Sequence, residues 1–119
     1  MLNKDIYTLY HALQVLVKSE DKLPAKVSFI IARNLKTLEG IVDDIDAARY
    51  QIVQSYGTPI PQGGYKIPKE KCEEANKELE TVANIEIDVP LVKIKISDIE
   101  NLNISIAMAE ALMPMIEEE

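Results

Sequence analysis

Reactive side chains are scarce in this chain. Its 119 residues include one histidine, one cysteine, one phenylalanine, four glycines and no tryptophan. A single cysteine, Cys72, excludes an intrachain disulfide and a cysteine-built zinc cluster. His11 has no neighbouring serine or cysteine to complete a nucleophilic set, so it reads as a surface or interface residue. Gly63-Gly64 lacks the lysine and following helix of a phosphate loop. No apolar run approaches ~20 residues, which leaves no candidate for a membrane-crossing helix. The first residues lack a basic segment followed by an apolar run, so no signal peptide is expected. Positive charge is short as well. Thirteen Lys and Arg face twenty Asp and Glu, a formal charge of -7 with a pI near 4.7. That balance argues against a nucleic-acid partner bound through its phosphates.

What the chain does have is apolar periodicity. With 47% hydrophobic and 28% charged residues it has the composition of one globular domain spanning 1–119. From Pro24 to Tyr56 it reads as one amphipathic helix. Ile31, Leu38, Ile45 and Ile52 recur every seven residues, and Leu35, Val42, Arg49 and Tyr56 form a second row offset by four. Alternating steps of four and three hold both rows on one stripe, as in helices packed lengthwise. Proline is a start signal because its missing N–H costs a first turn nothing, and Gly57 supplies a stop.

The flanking segments follow the same logic. Asn3 is placed to cap a first helix running to about Ser19, with Ile6, Leu9, Leu13 and Leu16 as its buried stripe, widened by Tyr10 and Val17. The polar run Ser19 to Lys22 breaks it, and the short link favours an antiparallel hairpin with the long helix. The prolines and glycines of Thr58 to Pro68 predict an irregular loop. A third helix is expected from Pro68 to Val82, with Cys72, Ala75, Leu79 and Val82 as an apolar row in which Cys72 is a small core residue. After Asn84 the period drops to two. Ile85, Ile87 and Val89, then Val92, Ile94 and Ile96, predict a β-hairpin in which Asp88 faces Lys93 and Glu86 faces Lys95. Ser97 to Glu100 matches a capping box, and Ser105 is placed to cap a last helix containing Ile106, Met108, Ala109, Leu112 and Met113. Pro114 should disrupt that helix, leaving Glu117 to Glu119 as a solvated acidic tail.

Few residues stand out as functional. Of Asp43, Asp44 and Asp46, the first two point about 100° apart on a helix, and no glycine-containing calcium loop is present, so no metal site is expected. Glu70, Glu74 and Glu78 read as solvated helix, and Met108, Met113 and Met115 mainly as core filling. Arg49 is different, because it interrupts an apolar seam where a charge is costly unless paired or at the edge. It either reaches the rim or meets an anionic group. Arg33, Lys36, Arg49 and Tyr56 are the candidate contacts for a ligand or partner, chosen because they lie on the long helix. No catalytic residue and no cofactor is expected.

The string Lys22-Leu-Pro-Ala-Lys-Val-Ser-Phe-Ile-Ile-Ala-Arg-Asn-Leu-Lys-Thr-Leu-Glu39, with Ala48-Arg49-Tyr50 and Tyr56-Gly57, resembles a small protein family of unknown function from siphophages and prophages of Gram-positive bacteria. Ile85-Glu-Ile-Asp-Val, Ile94-Lys-Ile-Ser-Asp-Ile-Glu100 and Ile104-Ser-Ile resemble that family's C-terminal half. The chain departs from the family at Ile106, where members carry proline, and in a compressed 58–68 loop. The resemblance implies a phage accessory protein made in the host bacterial cytoplasm.

Together these readings predict a mainly helical α+β fold: a long antiparallel helical hairpin with a third helix, a small antiparallel β-element and a C-terminal helix. A helix of ~50 Å overreaches a single-domain core about 26–30 Å across, so homo-oligomerisation is expected. The expected role is non-enzymatic binding of a host or phage protein, or of a small anionic ligand. Countering a host defence, by blocking a protein or sequestering a nucleotide signal, is one form of it. The alternative is a virion or tail-assembly component binding another phage protein.

Overall fold

A computed structural model describes residues 1–19 and 22–117. Helix α1 spans Asn3–Lys18 and α2 spans Ala25–Tyr56; they pack side by side as the arms of a helical hairpin. The expected stripe of α1 is in place, since Ile6, Leu9, Leu13 and Leu16 are all buried, although Val17 is 58% exposed. Along α2 the buried positions are Val27, Ile30, Ile31, Asn34, Leu38, Val42 and Ile45. Pro24 precedes the first turn as its cap residue and does not open it.

The long helix sets the shape. Thirty-two residues rising ~1.5 Å each match the molecule's longest dimension of 51 Å, against 30 and 24 Å across. The radius of gyration is 17.4 Å, where a compact chain of this length would have about 13–14 Å.

Beyond α2 the chain does not stay irregular. Thr58–Pro59 (β1) and Tyr65–Lys66 (β2) pair antiparallel, with Gly63 and Gly64 at φ 95° and 80° closing the turn. Those left-handed angles suit glycine because it has no Cβ to clash. Gly57 has a different role. It is extended, and a Cβ there would come within 2.6 Å of the Val53 carbonyl oxygen and 2.9 Å of Tyr65 Cβ. A 3-10 turn at Lys69–Lys71 leads into α3, Cys72–Ala83, which lies along the distal part of α2. Of the α3 row only Ala75 is fully buried; Cys72 is half-exposed and its thiol points at the Pro68 carbonyl, 3.4 Å away. It is therefore a packing residue at a margin, not in the core.

The expected 85–96 hairpin is absent, because both of its strands find other partners. Asn3 N–H donates to the Ile85 carbonyl, Ile87 N–H donates to the Met1 carbonyl, and the Met1 amino group donates to the Ile87 carbonyl, making an antiparallel bridge with the start of α1. Asn3 is accordingly not a helix cap: Leu2 holds that position, and Asn3 is buried with its Nδ2 on the Val82 carbonyl at 2.8 Å. Ile94–Lys95 (β3) instead runs parallel to Ile116–Glu117 (β4). The pairs Asp88–Lys93 and Glu86–Lys95 do not form; Glu86 meets the Met1 amino group at 2.8 Å.

Asn34 organises this second half. Fully buried on α2, its side chain accepts from the Val92 N–H at 2.8 Å and donates to the Val92 carbonyl at 2.9 Å, standing in for a neighbouring strand. The capping box shifts by two residues: α4 is Ile96–Ile99, and Asp98 accepts from the Lys95 N–H. Ser105 does cap α5, Ile106–Leu112, accepting from the Met108 N–H at 3.1 Å. Pro114 sits in a 3-10 turn, Met113–Met115, that feeds β4. Met115 is in the core, whereas Met113 and Ile106 are exposed. Glu117 thus belongs to β4, and Glu118 and Glu119 of the expected acidic tail lie outside the described residues, as do Glu20 and Asp21 of the α1–α2 link.

The fold is a mainly helical α+β domain with a long helical hairpin, a two-stranded antiparallel sheet and a C-terminal helix and strand. The antiparallel element stands at 58–66, not at 85–96.

Candidate functional site

Three helix segments meet around one cleft of about 530 Å³. The first turn of α1 supplies Asn3, Lys4 and Tyr7; the distal part of α2 supplies Ile45 and Arg49; and α3 supplies Asn76, Leu79, Glu80, Val82 and Ala83. The geometry follows from the hairpin. Antiparallel packing brings the start of α1 beside Ile45 and Arg49, and α3 crosses close enough to wall the third side. Aliphatic side chains line the floor and polar groups stand at the margin, the usual division in a ligand site of 300–1,000 Å³.

Arg49 resolves the interruption of the apolar seam by turning its guanidinium over Tyr7, 5.5 Å from the ring centroid. That contact attracts through the ring quadrupole and leaves the guanidinium donors free to bond elsewhere. Among the described residues no carboxylate lies within ion-pair distance of Arg49 or Lys4. Tyr7 also packs edge-on against His11 at 4.5 Å, and His11 is exposed. Asn3 is 4% exposed. Its Nδ2 is committed to Val82, which fixes the amide's orientation, and its Oδ1 has no hydrogen-bond partner.

The four candidates from the sequence do not come together in one chain. Arg33 and Lys36 are exposed near the other end of α2, Arg33 ~24 Å of helix rise from Arg49 and turned to the opposite face. Lys36 lines a shallow groove with Tyr10, Gln14, Val17, Leu35 and Glu39. Tyr56 faces α3. Partial removal from water raises its phenol above the ordinary value, and the nearby carboxylates of Glu78 and Glu74 push it the same way. An anion is unwelcome there. Only Arg49 of the four belongs to the cleft.

Asn3, Lys4, Asn76 and Glu80 were not foreseeable as site residues. Asn3 carries the pattern of a helix cap, and the other three look like solvated helix until α1 and α3 are known to meet. Tyr7 carries one partial signal, since it lies within four residues of Tyr10 and His11 on the same helical stretch. Among the described residues no group of three or more metal-ligating side chains assembles and no helix is long and apolar enough to cross a membrane. No family model, curated protein or solved structure matches the chain.

Proposed function

We propose that this chain acts by binding, as a phage accessory protein of the host bacterial cytoplasm that engages another protein and assembles as a homo-oligomer. The observation that supports this reading is the cleft at Arg49: two cations, Lys4 and Arg49, without ion-pair partners among the described residues stand over an aliphatic floor. Unspent polar groups at the edge of apolar surface are the usual makings of a recognition site.

Charge counting favours a protein partner over a nucleotide signal. Lys4 and Arg49 against Glu80 leave the cleft a formal surplus of one positive charge. A phosphomonoester carries about -1.5 to -2, and the chain as a whole carries -7. Sequestering a nucleotide would need further cations from a second copy, for which Arg33 and Lys36 are the available side chains. Blocking a host defence protein requires none.

Native mass spectrometry of the protein purified gently from a Gram-positive host tests the reading. A species heavier than the 13.4 kDa chain, containing a second copy and a stoichiometric partner chain, is expected. Nucleotide-sized extra mass would replace the protein partner with a small ligand, and co-purification with phage particles would replace host blocking with assembly. A bare monomer in every preparation overturns it.

A further inference from the structure

We infer that the Arg49 cleft takes a peptide segment of the partner that presents one acidic side chain between aliphatic ones. This rests on the binding reading above and goes beyond it by naming the chemistry recognised.

Two features of the cleft select that ligand. First, the surplus of one positive charge, from Lys4 and Arg49 against Glu80, matches one carboxylate. A guanidinium presents paired donors that fit the two oxygens of a carboxylate, and Tyr7 holds this one in place from one side. Second, the floor of Ile45, Leu79 and Val82 is aliphatic, and the one ring in the wall, Tyr7, already has a face occupied by Arg49. Aliphatic side chains bury well there, and little ring surface remains for a nucleobase to stack on. The same peptide answers both.

The test is an NMR titration of the full chain with a blocked tripeptide, acetyl-Leu-Asp-Leu-amide. Its asparagine counterpart, inorganic phosphate and adenosine monophosphate serve as comparators. Saturable shifts at Lys4, Tyr7, Arg49 and Asn76 are expected with the aspartate peptide. The asparagine peptide should bind at least tenfold more weakly, since it keeps the shape of the side chain but not the charge that Lys4 and Arg49 face. Lys4→Gln and Arg49→Gln should each weaken binding by a similar factor. Lys4 is exposed on the first turn of α1, so Lys4→Gln reports on the site without risk to the fold.

No shift at millimolar aspartate peptide, or equal binding by the asparagine peptide, overturns the inference. Tighter binding of adenosine monophosphate than of the peptide does so in favour of a nucleotide. A partner that binds the wild-type chain and both variants equally removes the cleft while leaving the binding function intact. Absence of any partner removes the function instead.

Discussion

Between Val27 and Ile45, α2 carries seven side chains shut off from water, whereas from Asp46 to Tyr56 it carries none. The first stretch is clasped by α1 on one side and by the Val92–Lys95 and Met115 region on the other. The second leans on α3 and the β1–β2 hairpin through half-buried Ile52, Val53 and Tyr56 and through polar edges such as Gln54 to Tyr65. The same helix is therefore a core element at one end and a scaffold for surface chemistry at the other. Binding sites tend to occupy the less stable parts of a fold, because an unsatisfied polar group is tolerable where little apolar area has to close around it. Arg49 sits where that transition occurs.

Truncation is the most direct way to break this comparison. Leu38→Ala, at a fully buried position, should cost about 2–5 kcal/mol through lost burial and a residual cavity. Val53→Ala, at a half-buried one, should cost no more than about 1 kcal/mol. Urea unfolding of the two variants measures the gap, and equal costs would mean that the distal half is as tightly packed as the proximal half. Asn34→Leu comes next. It keeps the branched outline of the side chain but strips both backbone groups of Val92 of their partner, at about 1–3 kcal/mol, and should release β3 from the core. Loss of protection at the Val92 amide in hydrogen exchange is the readout.

The proximal half is also where the sequence was easiest to read. The heptad rows of α2, the stripe Ile6, Leu9, Leu13, Leu16 of α1 and the Ser105 cap are local patterns whose physics does not depend on the rest of the fold. The strands were a different matter. The alternation in 85–96 covers two places that do pair, the bridge at Glu86 and β3 at Ile94–Lys95, with Ile96 already in α4, but pairing is a contest among all available backbone edges. The start of α1, Asn34 and β4 won it from outside the segment. A buried asparagine acting as a strand edge has no sequence signature. The same non-locality hid most of the cleft. Arg49 was legible because a charge in an apolar row needs an explanation, whereas Lys4, Asn76 and Glu80 acquire meaning only when three helices meet.

Two smaller effects sharpen the contrast. Amides of residues 47–56 should exchange at least about tenfold faster than those of 30–42, equivalent to ~1.4 kcal/mol of easier local opening; uniform protection would merge the two halves into one cooperative unit. Arg49→Leu should leave stability within about 1 kcal/mol of the wild type, because a lost cation–π contact of ~0.5–1 kcal/mol is offset by apolar area gained in the seam. Binding of the aspartate peptide should nonetheless weaken at least about tenfold. A large stability loss would make Arg49 a structural residue.

The smallest effect separates the two ends by pH. Asp98 secures α4 near the start of α2: it accepts from the Lys95 N–H at 3.2 Å and pairs with Lys26 at 3.2 Å. The Lys95 backbone bond foremost, then the Lys26 contact, holds its carboxyl below the usual carboxylate value. A carboxyl depressed by folding stabilises above its unfolded pKa, and the gain is lost as pH falls through the folded value. Tyr56 at the other end behaves oppositely. Its phenol is raised by partial removal from water and by Glu78 and Glu74, so its contribution is intact below the unfolded value near 10 and is lost as pH rises through the folded one. Melting temperature measured from pH 2 to 11 should therefore fall at both extremes. Asp98→Asn should flatten part of the acid limb alone, and Tyr56→Phe part of the alkaline limb alone. Because both groups touch solvent, each change should be small. If either substitution altered both limbs, the two ends of α2 would be electrostatically coupled, and the division between a packed half and a recognition half would fail.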